Sequence, residues 1–322
     1  MVVTASISPP GGAPPPISVV KSVVKEEVKT CLLDISEFLE ISERGLSETF
    51  NAEQKPVSFE RLKQLDAFVI DNVLSPAECS YLVDTSERMG YSFWDQDKDR
   101  ASTFRNADTI EVKQVDIAEI LWQRIKPFFE KNLEVEKGQQ RWQCDLQGEW
   151  SPVGTNTRLL FARYDEGGHF SPHTDGFDIV NFDHRSMYSI VLFLNTCPSG
   201  GGTRFYKDEQ REKLVQDSHG RYTGLPELVE ATVESKAGRM IVFYHNIMHE
   251  GIAVNSGKKY IIRSDVMYQR LEPVCASERD KEAFVLYQEA ETLSNNGEVD
   301  EAMKLFRRAF KMSPALAEVY GC

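Results

Sequence analysis

RLLFARYDEGGHFSPHTDG, residues 158–176, is the stretch on which the reading of this sequence turns. RLLFARY is a short run of large apolar and aromatic residues, and the DEGG after it is turn chemistry, so a strand here ends in a tight turn. His173 and Asp175 follow two positions apart, a spacing that puts both side chains on one face of an extended chain. Further runs of the same kind are SIVLFLN (189–195), GRMIVFYHN (238–246) and KYIIRSDVMY (259–268). CPSGGG and NSGK punctuate them, so residues 156–270 read as an all-β sandwich or barrel.

The chemistry sits in this β half. His249 comes at the end of the GRMIVFYHNIMHEG stretch. Two imidazoles and one carboxylate that leave coordination positions open are the donor set of a non-haem iron(II) site, and zinc accepts the same ligands. A neighbouring site for an oxoacid cosubstrate separates the two readings. Such a site needs a buried cation, and Lys259 and Arg263 share parity on the KYIIRSDVMY strand, so both point to one face. A charge on an inward face is costly unless paired, so a carboxylate partner gives the cation its reason to be there. His169, His184, His219 and His245 lack the triad spacing and read as surface or hydrogen-bonded core. Gly200–Gly202 precede no Gly-Lys-Ser/Thr, so they read as a turn and not a phosphate loop. Arg105, Arg158, Arg163 and Arg185 read first as solvated; Arg105 and Arg163 are the candidate substrate-binding residues.

Outward from the β half, FVIDNVLSPAEC opens the domain near Phe68 with a strand and a strong helix start. Ser75 is the N-cap, Pro76 the first helical residue, and Glu78 completes a capping box. A second helix is predicted over 115–132. Residues 1–18 are Pro/Gly-rich and predict a disordered tail. Apolar positions from Val20 recur at helical spacing, so 19–65 reads as a helical N-terminal segment. The main domain, which holds the chemistry-bearing β half, is placed at 66–275, and 276–322 returns to helix.

The chain has 37 Lys+Arg against 50 Asp+Glu, a net charge of −13, which argues against binding polyanions by charge alone. No apolar run approaches the roughly 20 residues that span a bilayer. Neither a secretory nor a transit peptide fits the first residues, so an intracellular protein, cytoplasmic or nuclear and free of membrane, is expected. The 6 cysteines form no CxxC pair and read as free thiols.

Taken together, NTRLLFARYDEGGHFSPHTDG (156–176), SIVLFLN, GGGTRF (200–205) and KAGRMIVFYHNIMHEGIAVNSGKKY (236–260) resemble the catalytic domain of iron(II)/2-oxoglutarate dioxygenases of the prolyl 4-hydroxylase type. With the FVIDNVLSPAEC opening, the resemblance spans about residues 66–270. It implies a double-stranded β-helix, a jelly-roll or cupin-like core with flanking helices. It also implies iron on His173, Asp175 and His249, with Lys259 on the distal carboxylate of 2-oxoglutarate, Arg263 as the rival clamp and Tyr164 beside the cosubstrate. The implied cosubstrates are 2-oxoglutarate and O2, with ascorbate as a candidate reductant. The implied product is a hydroxylated C–H, on a protein side chain such as proline in preference to a nucleic acid or small metabolite. A non-catalytic jelly-roll scaffold is the other alternative. Relatives offer a tyrosine hydroxyl where Phe193 stands, so that contact is absent here or falls to Ser189. The segment EAFVLYQEAETLSNNGEVDEAMKLFRRAFKMSP resembles a single tetratricopeptide repeat. One repeat cannot bury its own apolar face, so this C-terminal helical hairpin is expected to dock on the main domain or on a protein partner.

Overall fold

The computed structural model describes residues 57–139 and 141–320. The expected tail at 1–18 and the amphipathic face from Val20 lie outside the described residues. Where 19–65 is described it is not helical: Ser58–Arg61 is a strand. Its SFER residues are all exposed, so no apolar alternation marks it in the sequence.

The strands are β1 (Ser58–Arg61), β2 (Ala67–Asp71), β3 (Ser92–Phe93), β4 (Asp108–Lys113), β5 (Leu133–Val135), β6 (Gly148–Thr155) and β7 (Arg158–Tyr164). They continue as β8 (Phe170–His173), β9 (Ile179–Asn181), β10 (His184–Phe193), β11 (Ser199–Gly200), β12 (Thr203–Tyr206), β13 (Val215–Gln216) and β14 (Tyr222–Thr223). The last are β15 (Val229–Val233), β16 (Met240–Tyr244), β17 (His249–Gly251), β18 (Val254–Ser256) and β19 (Lys259–Arg270). Helices α1 (Pro76–Met89), α2 (Lys98–Ala101) and α3 (Val115–Ile125) precede the β half, and α4 (Glu278–Asn295), α5 (Val299–Met312) and α6 (Pro314–Tyr320) follow it. The core is thus mainly antiparallel β with helices before and after it. No helix among the described residues is long and apolar enough to cross a membrane.

The chain forms two compact units, the first made of 57–125, Thr155–Gly176 and Tyr188–Asp265. Its larger sheet has the order β1-β2-β16-β10-β19-β7-β4-β3 and its smaller sheet β15-β12-β17-β8. In the larger sheet Ile190 pairs with Val242 and Leu192 with Met240, all fully buried. Each such side chain contributes roughly 1.5–3 kcal/mol of burial free energy. The start of α1 is as expected: Ser75 Oγ accepts from Glu78 N, and the Glu78 carboxylate accepts from Ser75 N. The expected helix over 115–132 stops at Ile125 and gives way to a 3-10 turn at Lys126–Phe128. Pro127 accounts for this, since it offers no N–H and its ring crowds the preceding turn.

The second unit comprises Lys126–Gly154, Phe177–Met187 and Val266–Cys322, described to residue 320. Its core joins Phe182, Cys275, Ala283, Phe284, Tyr287, Ala309 and Leu316. Tyr287 of α4 meets Phe306 and Phe310 of α5 at ring separations of 5.3 and 5.9 Å, so these helices cover each other's apolar faces. Phe182, on the β9–β10 turn, packs edge-on against Phe284 and Tyr320. Beside this core Arg270 donates to Asp183 at 2.8 Å and lies over the Trp150 ring, while Asp183 also accepts from Val274 N and Cys275 N. Arg185, read from sequence as solvated, is only 2% exposed and pairs with Asp145 at 2.8 Å.

Candidate functional site

The site grows from two neighbouring strands of the smaller sheet. β8 and β17 pair so that His173 stands directly opposite His249, with ring centroids 4.3 Å apart. Asp175 lies beyond the end of β8, not on it as the spacing argument assumed; its N–H donates to the His245 carbonyl at 3.0 Å, which turns the carboxylate back toward both rings. One ligand-capable atom from each of the three residues falls within 4.8 Å of the others. His173 Nε2 is 3.5 Å and His249 Nε2 3.8 Å from the Asp175 carboxylate.

The backbone orients both rings. His173 Nδ1 faces Ser171 O at 2.7 Å and His249 Nδ1 faces Ile247 O at 2.9 Å. A carbonyl can only accept, so each Nδ1 carries the proton and each Nε2 presents a lone pair to the centre. Burial, aided by the His173 ring, pushes the His249 pKa down to about 4. For Asp175, burial works to raise the pKa, but Arg263, His249 and His173 outweigh it and hold the carboxyl well below the usual range. Asp175 Oδ2 is buried with no hydrogen-bond partner. Two imidazole nitrogens, one ionised carboxylate and an orphaned buried oxygen fit a divalent ion with open positions, the set that suits non-haem iron(II).

The second half of the site is built on β7 and β19, where Lys259 stands opposite Tyr164. The Lys259 ammonium is 4.9 Å from the Tyr164 ring centroid and 5.5 Å from that of Phe193, and the residue is 2% exposed. Among the described residues no carboxylate lies within 4.0 Å of it, and burial brings its pKa down to about 8. A Cβ built on Gly251, two residues past His249, would lie 3.7 Å from Lys259 Nζ, so the cation sits beside the strand that carries His249. Gly201 has φ +73°, and a Cβ there would meet Cys197 Sγ at 2.9 Å; the glycine run is a turn closed around Lys259 and Cys197.

Arg263 is engaged elsewhere. It donates to Asp265 at 3.1 Å and to Gly176 O at 2.9 Å, and its Nε stands 3.8 Å from Asp175 Oδ2. Arg163 does not join the site: it lies on the opposite face of β7 from Tyr164 and pairs with Asp108 at 2.6 Å and Glu87 at 3.1 Å. Arg105 does join it, over the Phe170 ring at 4.7 Å. His169, with its ring nitrogens facing Gly167 O and Thr103 O, holds loops together as the plainer reading expected. Sequence reasoning missed Phe170, stacked on His173 at 3.6 Å, and Phe243, edge-on to His249 at 4.5 Å. It also missed the two orienting carbonyls, which every residue possesses and no motif can mark.

Residues 159–264, which contain this whole arrangement, match the family model of the 2OG-Fe(II) oxygenase superfamily. The chain carries a 2OG-Fe(II) oxygenase domain. The family implies iron(II), 2-oxoglutarate and O2, and the oxygenase's own His-Asp-His cluster meets the metal requirement. No curated protein matches the chain. Among solved structures, the viral collagen prolyl hydroxylase of Paramecium Bursaria Chlorella virus-1, in its 2OG complex, is similar at 16% identity and TM-score 0.38, over 65% of the oxygenase and 99% of that chain. A Pseudomonas putida prolyl-4-hydroxylase is similar at 18% identity and TM-score 0.39, over 66% and 96%. A Trichoplax adhaerens prolyl hydroxylase, in complex with a hypoxia inducible factor oxygen degradation domain peptide fragment, is similar at 15% and 0.39, over 72% and 92%.

Proposed function

We propose that this oxygenase hydroxylates a C–H bond of a peptide or protein side chain, with proline the first residue to test. The observation that carries the reading is the pairing, within one unit, of the His173–Asp175–His249 cluster with a buried ammonium, Lys259, that has no carboxylate partner among the described residues. His173, Asp175 and His249 would hold iron(II), and Lys259 would meet the distal carboxylate of 2-oxoglutarate with Tyr164 alongside. Bound iron supplies O2 activation, which couples decarboxylation of 2-oxoglutarate to succinate and CO2 with insertion of one oxygen atom into the substrate.

The chain's own residues do the rest. Ser171 O and Ile247 O hold the two imidazoles in the tautomer that leaves Nε2 free. Arg263 keeps Asp175 ionised, so its cation serves the metal half and leaves the cosubstrate to Lys259. Phe170, Phe193 and Phe243 wall the site with apolar surface and exclude water. Ascorbate is proposed as the reductant that keeps the metal divalent. The preference for a peptide rests on the prolyl 4-hydroxylase-type motifs, and the tetratricopeptide-like α4 and α5 are proposed as a protein-contact element of an intracellular enzyme. The test is succinate release from 2-oxoglutarate with iron(II) and O2 across peptide, nucleic-acid and metabolite pools. Turnover driven by proline-containing peptides that gain one oxygen atom supports the reading, and turnover driven only by the other pools overturns the substrate class.

A further inference from the structure

Arg105 lies against the metal half of the site and within electrostatic reach of its Lys259 half. Its guanidinium carbon lies 4.7 Å from the centroid of the Phe170 ring, and that ring stacks on the His173 imidazole at 3.6 Å with planes 17° apart. Its charge also reaches the buried Tyr164 phenol, whose ring lies 4.9 Å from Lys259 Nζ, and a Cβ built on Gly168 would meet both Tyr164 Cβ at 2.9 Å and Asn106 O, next to Arg105, at 3.0 Å. A planar guanidinium can stack on one ring and donate sideways to another group at once; an ammonium cannot.

The placement of Arg105 is fixed by its own surroundings. Arg105 N donates to Ala101 O at 2.8 Å, Trp94 Nε1 donates to Arg105 O at 2.7 Å, and Asn106 N donates to His169 O at 2.9 Å. The Trp94 ring lies 5.5 Å from the guanidinium, and a backbone bridge ties Arg105 to Phe170. We propose that Arg105 is a positioning residue that sets His173, through Phe170, and the Lys259 end of the site, through Tyr164, in register with each other. The proposal rests on the oxygenase reading and departs from the sequence expectation that Arg105 binds substrate.

The test measures cobalt(II) affinity, by the optical spectrum of the bound ion, and 2-oxoglutarate affinity on the full chain, with the melting temperature alongside. Arg105→Met is expected to lose about tenfold or more in both affinities, the scale on which groups supporting metal ligands act, and Arg105→Lys to recover little of either. Tyr164→Phe should weaken 2-oxoglutarate alone and Phe170→Leu the metal alone. If Arg105→Met keeps both affinities and only the KM for substrate rises, the residue is a substrate contact and the proposal falls. It falls equally if both affinities drop only in step with the melting temperature. Should Arg105→Met fail to fold, the two single-limb variants decide, and unchanged affinities in both overturn it. A wild-type chain that binds neither cobalt(II) nor 2-oxoglutarate would instead overturn the oxygenase reading beneath it.

Discussion

Lys259 and Tyr164 face each other across β19 and β7, with the ammonium 4.9 Å from the phenol ring. Aromatic faces offset part of the cost of burying that cation but do not neutralise it, so the arrangement is complete only with an anion. Lys259→Ala is therefore expected to weaken 2-oxoglutarate by about 2–5 kcal/mol, the range for truncating one member of a buried charge pair. Arg263→Ala should instead weaken the metal more than the cosubstrate, because Arg263 faces Asp175. Titration calorimetry of both variants checks the ranking, and the reverse order reassigns the clamp.

The same lysine predicts a pH dependence. Burial brings its pKa from 10.5 to about 8 in the folded chain, so above about 8 the free protein loses the ammonium that a carboxylate needs. Affinity for 2-oxoglutarate should fall as pH rises through that value. Stability should move the other way: between about 8 and 10.5 the unfolded chain binds the proton that the folded chain has released, so stability from this group rises across that window. Lys259→Met should flatten both slopes, and a wild-type affinity flat across the window counts against a buried ammonium in the site.

Gly201 tests the turn that closes around Lys259. At φ +73°, and with Cys197 Sγ only 2.9 Å from a built Cβ, Gly201→Ala incurs both backbone strain and overlap, about 1–3 kcal/mol together. Urea unfolding measures the cost, and a neutral substitution would mean the turn relaxes freely.

In the second unit Asp183→Asn removes the partner of a buried arginine, since Arg270 and Asp183 side chains are 3% and 5% exposed. Breaking such a pair costs about 3–5 kcal/mol. Asp183 also accepts two backbone N–H groups ahead of α4, so the loss should appear as early unfolding of the C-terminal helices by circular dichroism. Their unfolding in step with the rest of the chain would count against that local role.

What could be read in the sequence was what leaves a local trace. Apolar runs between turn residues marked β7, β10, β16 and β19, and the Ser-Pro-x-Glu pattern marked the start of α1. His173, Asp175 and His249 were legible as a donor set because residue type and spacing carry that information. The sequence did not reveal β1, whose four residues are all exposed, or the role of the His245 carbonyl in turning Asp175 toward the rings. Arg163 looked as eligible as Arg105 until strand alternation sent one outward to Asp108 and Glu87, while a backbone bridge brought the other to Phe170. Arg185 looked solvated because nothing local announces Asp145, forty positions upstream.

The central claim is that His173, Asp175 and His249 form the metal site at which 2-oxoglutarate is turned over. Iron(II)-dependent succinate release, measured for the wild-type chain and for His173→Ala with melting temperatures matched, tests it most directly. The account predicts iron-dependent succinate from the wild type and none above background from the variant, which keeps its fold. Full turnover by His173→Ala would contradict it.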